Sequence, residues 1–159
     1  MGSESERLCL CATLPDLAVV PMGGSGLDDR VFATVDVIRH HGSDLWWLYL
    51  ARCNACGQQW TVAQEERIFD DYFLRRTSEE EGAATAAGCW PEDFITYERV
   101  LKIGRLLSKP CRFLNSLAGS LIWSAHDLKE ARPDITIDEI AWLLGVTATN
   151  AKRLLEQAR

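Results

Sequence analysis

Cys53-Asn54-Ala55-Cys56-Gly57 sets two thiols two residues apart ahead of a glycine. At that spacing both sulfurs of a tight turn reach one metal ion. Gly57 suits the left-handed backbone position that closes such a turn, with the turn's amides aimed at the sulfurs. Cys9-Leu10-Cys11 is a second and rarer pairing, CxC, that supplies two more ligands. Four thiolates fill a tetrahedral shell, so the expected cofactor is one structural zinc ion that stabilises the fold and leaves no open position for chemistry. His40 and His41 are alternative ligands should Cys9 or Cys11 not reach. Two further readings are a set of four unrelated buried thiols and a redox CxxC, which needs a strand-to-helix setting. Cys89 and Cys111 stand alone and read as small core residues.

Other chemistry finds little support. Neither HExxH nor the deaminase pattern HxE…PCxxC is present. Ser124, His126 and Asp127 have the residue types of a triad, but as neighbours on one expected helix their side chains diverge. The run Gly23-Gly24-Ser25-Gly26 lacks the Gly-Lys-Ser/Thr of a phosphate loop. The expectation is a protein that is not an enzyme.

At 159 residues, 47% apolar and 25% charged, the chain has the composition of a folded protein rather than a disordered one. The longest apolar run, LWWLYLA (45–51), falls far short of the roughly 18 residues of a membrane span. MGSESERL has no signal-peptide pattern, and Glu6 stands where myristoylation needs Ser or Thr, so the expected location is the cytoplasm. Six cysteines then point to metal or buried thiols before disulfides. The net charge of −6 divides unevenly, with −9 over residues 1–97 and +3 over 98–159.

The elements that must position the thiols are strands. Val31, Ala33, Val35 and Val37 alternate with Phe32, Thr34, Asp36 and Ile38, the period of a half-buried strand. LWWLYLAR (45–52) and QQWTV (58–62) read as strands on either side of the knuckle, and RIFDDYFLRR (67–76) as strand or helix. Beyond the charged and then small-residue stretch 77–90 the period becomes helical, with helices over 91–107 and 113–131. The expected fold class is α+β: a zinc-knuckle antiparallel β domain over 1–78, then a helical domain over 79–159 with a helix-turn-helix-like hairpin at 136–158.

That hairpin rests on TIDEIAWLLGVTATNAKRLL (136–155). Thr136 and Glu139 form a capping box, Gly145 fits the turn, and Thr147 caps the next helix. Ile140, Ala141, Leu144, Val146, Ala151 and Leu154 occupy the contact positions of two crossing helices. The segment resembles the helix-turn-helix of sigma factors and many bacterial regulators, whose pattern runs EIAxxLGVS. The resemblance implies a recognition helix offering Thr147, Thr149, Asn150, Lys152 and Arg153 to a major groove. Ala148 and Thr149 are poor base readers, however, and Trp142 stands where a polar residue is usual.

CNACGQQWTVAQEERIFDDYFLRR, with the upstream CxC, resembles small zinc-binding immunity-type proteins of bacterial polymorphic toxin systems over residues 9–76. The resemblance implies a non-catalytic inhibitor whose protein partner is a toxin with a basic face. Glu65, Glu66, Asp70 and Asp71, interleaved with Tyr72 and Phe73 and followed by Glu79, Glu80 and Glu81, are the expected contact surface. The alternative is a DNA-binding transcription regulator that uses the C-terminal hairpin.

Overall fold

The computed structural model describes residues 9–23, 26–41, 48–107, 113 and 115–158. The chain is mixed α and β, with a five-stranded antiparallel sheet followed by a set of helices, as the fold class expected. The strands are β1 (Leu17–Pro21), β2 (Val35–His40), β3 (Leu48–Cys53), β4 (Gln59–Glu65) and β5 (Asp71–Thr77), in the spatial order β1-β5-β4-β3-β2. The helices are α1 (Leu27–Phe32), α2 (Glu79–Ala86), α3 (Tyr97–Leu106), α4 (Gly119–Ala131), α5 (Ile137–Leu144) and α6 (Ala148–Glu156).

Two compact units make up the chain: Met1–Gln64 with Asp70–Ile95, and Glu65–Phe69 with Thr96–Arg159. This differs from one cut between residues 78 and 79. Ser78 caps α2 in a full capping box with Glu81, and α2 belongs with the sheet. The turn between β4 and β5 belongs with the helices, because Glu65, Ile68 and Phe69 are buried there.

In the sheet unit, β3 lies between β4 and β2 and is buried on both faces from Leu48 to Ala51, which explains its apolar run. Tyr49, Ala51 and Cys53 of β3 join Trp60 and Val62 of β4, Leu74 of β5 and Ala18 and Val20 of β1 in one core. Val31, at the end of α1, and Val35 close it. Here the sequence period misled: residues 27–32 are helical, and the strand begins only at Val35. Asp28 and Asp29 in the first turn favour that helix, and the buried residues of this stretch are Val31, Thr34 and Val35 rather than every second one. The strand over 58–62 and the strand reading of 67–76 correspond to β4 and β5, with 66–69 as a turn. Residues 45–47 of the second expected strand lie outside the described residues.

In the helical unit, Thr96 caps α3, which buries Val100 and Leu101, while α4 buries Leu121, Ala125 and Leu128. α5 and α6 are joined by Gly145-Val146-Thr147. Gly145 has φ +72°, where a Cβ would clash with the backbone, and Val146 N donates to Ala141 O at 2.9 Å to finish α5. Ile140, Ala141, Leu144, Ala151 and Leu154 are buried, whereas Val146 is only half-buried. Thr136 Oγ1 accepts from Glu139 N at 3.1 Å. The Glu139 carboxylate accepts from the Thr136 hydroxyl at 3.1 Å and pairs with the Arg132 guanidinium. Among the described residues no helix is long and apolar enough to cross a membrane.

Candidate metal centre

The cysteine sulfurs meet at one end of the sheet unit. β3 ends on Cys53, and the turn Asn54–Cys56 leads back into β4. Gly57, at φ +82°, closes it with Gly57 N donating to Cys53 O at 2.9 Å. The N-terminal segment brings Cys9 and Cys11 to the same place through a short 3-10 turn, Cys11–Thr13. Arg76 of β5 fastens that segment: its Nη2 donates to Cys11 O at 2.9 Å and Leu14 O at 2.7 Å, and its Nε pairs with Asp16 at 3.1 Å.

The ligand atoms of Cys9, Cys11, Cys53 and Cys56 all lie within 4.8 Å of one another, and Cys9 Sγ is 3.5 Å from both Cys53 Sγ and Cys56 Sγ. A tetrahedron with zinc–sulfur bonds of about 2.3 Å has edges of about 3.8 Å, so the set has the right size for one such ion. All five described cysteines are free thiols. His40 packs against Tyr49 and His41 against Trp90, so neither joins the cluster.

Polar groups surround the sulfurs. Cys11 N lies 3.4 Å from Cys9 Sγ, Trp60 Nε1 3.4 Å from Cys11 Sγ, and Thr34 Oγ1 3.4 Å from Cys53 Sγ. The Arg76 guanidinium stands 4.5 Å over the Trp60 ring, on the element that faces Cys11. Burial opposes ionisation at Cys53 but is outweighed by hydrogen bonds from Thr34 and from the amides of Cys56 and Ala55, which bring the thiol down to about 6. Burial pushes Cys11 and Cys9 up. A divalent cation bound among the four sulfurs would draw protons off the thiols. The residues fit a tetrathiolate ion held for structure. Thr34, Trp60 and Arg76 are the residues that sequence reading missed. Their roles arise from strand pairing and packing, and no local pattern announces them.

The expected acidic contact surface does not form as one surface. Glu65, Asp71 and Phe73 are buried, Asp70 and Tyr72 are half-buried, and Glu66 is exposed. Glu65 faces inward because the turn after it needs an acceptor: its carboxylate accepts from Arg67 N and Ile68 N at 2.9 Å, Phe69 N at 2.5 Å and Tyr97 OH at 2.5 Å. Asp70 adopts φ +56° to turn the chain into β5. Glu79, Glu80 and Glu81 are exposed, so a smaller acidic edge remains.

On the hairpin, Thr147, Thr149, Lys152 and Arg153 are exposed and Asn150 is half-buried, with its N–H on the Thr147 hydroxyl. Asp138, Glu139 and Trp142 are the exposed residues of α5. Ser124, His126 and Asp127 part as expected: Ser124 is fully buried, His126 Nε2 meets Gln157 O at 2.8 Å, and Asp127 pairs with Arg67 at 2.5 Å. Cys89 is exposed rather than a core residue, lying just beyond the turn that follows α2. Cys111 lies outside the described residues. No family model, curated protein or solved structure matches the chain.

Proposed function

We propose that this chain is a non-enzymatic, zinc-stabilised protein-binding module, an inhibitor of immunity or antitoxin type that neutralises a partner toxin. The observation that carries the reading is the convergence of four cysteine sulfurs with no histidine or carboxylate among them. Such a set closes the coordination shell and commits the ion to stability. The inhibitor assignment rests on the resemblance of residues 9–76. With Glu65, Asp71 and Phe73 buried, the contact falls to side chains that remain accessible. Trp142, 42% exposed beside Asp138 and Glu139, combines a large apolar ring with negative charge, a combination suited to a basic protein partner.

DNA reading is the second possibility, favoured by Thr149, Lys152 and Arg153 on one exposed side of α6. Against it, a helix-turn-helix lays its first helix across the phosphate backbone. Here that helix begins with exposed Asp138 and Glu139, which repel phosphate. Co-expression is the test: the product of the adjacent reading frame should arrest growth, and this chain should restore it, less well as Trp142→Ala. Specific DNA binding tighter than about 10⁻⁸ M, abolished by changing Lys152 and Arg153, would replace this reading with the regulator.

A further inference from the structure

Among the described residues, β2 lies at one edge of the sheet and pairs only with β3. Of its six residues only Val35 is buried, while Val37 and Ile38 are 45% and 52% exposed. An apolar edge strand is a template for another strand, and folded proteins blunt such edges with charges and bulges. β2 carries both, but in an arrangement that complements itself. Its register pairs Asp36 with Arg52, Val37 with Ala51 and Arg39 with Leu50, with a bulge between Val37 and Arg39. Three residues apart in a regular strand, Asp36 and Arg39 would point to opposite faces. The bulge returns Arg39 to the face of Asp36, since Arg52 and Leu50 share a face of β3. Val37 sits between them on the other face.

We propose that β2 pairs antiparallel with β2 of a second copy of this chain, about a two-fold axis normal to the sheet and centred on Val37. With Ile38 as the extra bulge residue of both strands, Val37 meets its own copy, and each Asp36 stands opposite the Arg39 of the other chain. Two opposite-charge cross-strand pairs form on one face and an apolar pair on the other. Asn54 Nδ2 donates to Asp36 Oδ2 at 2.9 Å and holds that carboxylate in place, while Arg39 forms no ion pair among the described residues. The sheet would then run continuously through both copies. This pairing is independent of what the four cysteines hold.

Sedimentation velocity of the full chain, from low micromolar to near-millimolar concentration, tests it. A concentration-dependent dimer is expected. Arg39→Asp turns both attractive pairs into repulsive ones and should weaken dimerisation by about tenfold. Arg39→Asp combined with Asp36→Arg should restore most of that loss. Because Asp36 holds Asn54 of the knuckle, metal content is measured alongside. Val37→Lys, which does not touch the knuckle, must also weaken the dimer. If the double variant loses its metal, Arg39→Asp and Val37→Lys decide together. A wild-type monomer throughout the range, a dimer indifferent to either single variant, or a metal-loaded double variant no tighter than Arg39→Asp would overturn the pairing.

Discussion

Replacing Glu65 by alanine should unfold the helical unit at far lower denaturant. The carboxylate is fully buried and is the shared acceptor for Arg67 N, Ile68 N, Phe69 N and the Tyr97 hydroxyl. Each buried donor left without a partner costs about 1–3 kcal/mol. The turn can relax and admit water to some of them, so the total should be about 4 kcal/mol rather than the full sum. Glu65→Gln keeps one acceptor oxygen and should lose about 1–2 kcal/mol, and Tyr97→Phe about 1 kcal/mol, since only one donor disappears. Urea titrations followed by helical circular dichroism at neutral pH would rank the three. An exposed acidic residue would instead shift stability by less than about 0.5 kcal/mol on truncation. A Glu65→Ala protein within that margin of wild type would sink the argument and return Glu65 to the surface.

Two further perturbations follow from the same geometry. Thr34→Val removes the hydroxyl 3.4 Å from Cys53 Sγ and should weaken zinc about tenfold in competition with a chromogenic chelator, as loss of a ligand's hydrogen-bond partner does; unchanged affinity would exclude Thr34 from the site. The hydrogen bond from Ser78 N, with help from the Ser78 hydroxyl, holds the Glu81 carboxyl below its usual range. Its stabilisation is therefore fully present above the unfolded-state pKa of about 4.3 and is lost as pH falls through the lower folded value. Glu81→Gln should flatten that part of the acid limb in denaturation midpoints measured against pH, and an unaltered limb would count against the capping role.

The cysteine cluster was legible because its signal is chemical and local: CxxCG fixes a turn, and Gly57 supplies the positive φ that closes it. The CxC half was weaker in sequence, since its approach depends on Arg76 drawing residues 11–16 onto the sheet. The helical hairpin was equally readable, from Thr136, Gly145 and Thr147 at their caps. What failed shows where pattern loses to tertiary demand. Residues 31–38 alternate like a strand, yet α1 takes their first part because Val31 and Val35 close one core from two elements. Glu65 and Asp71 look like surface by residue type, and Glu65 is buried to satisfy the donors of a turn that no local pattern reveals.

Metal analysis of the purified chain, coupled to cobalt substitution, bears on the account's foundation. One zinc per chain is expected, with a cobalt form showing tetrahedral bands and strong thiolate-to-metal charge transfer. Cys53→Ser and Cys56→Ser should each lose the metal and several kcal/mol of stability, since structural zinc contributes roughly 10 kcal/mol or more to folding. A protein that folds normally, carries no metal and leaves all four thiols freely reactive would show that these cysteines are no metal centre.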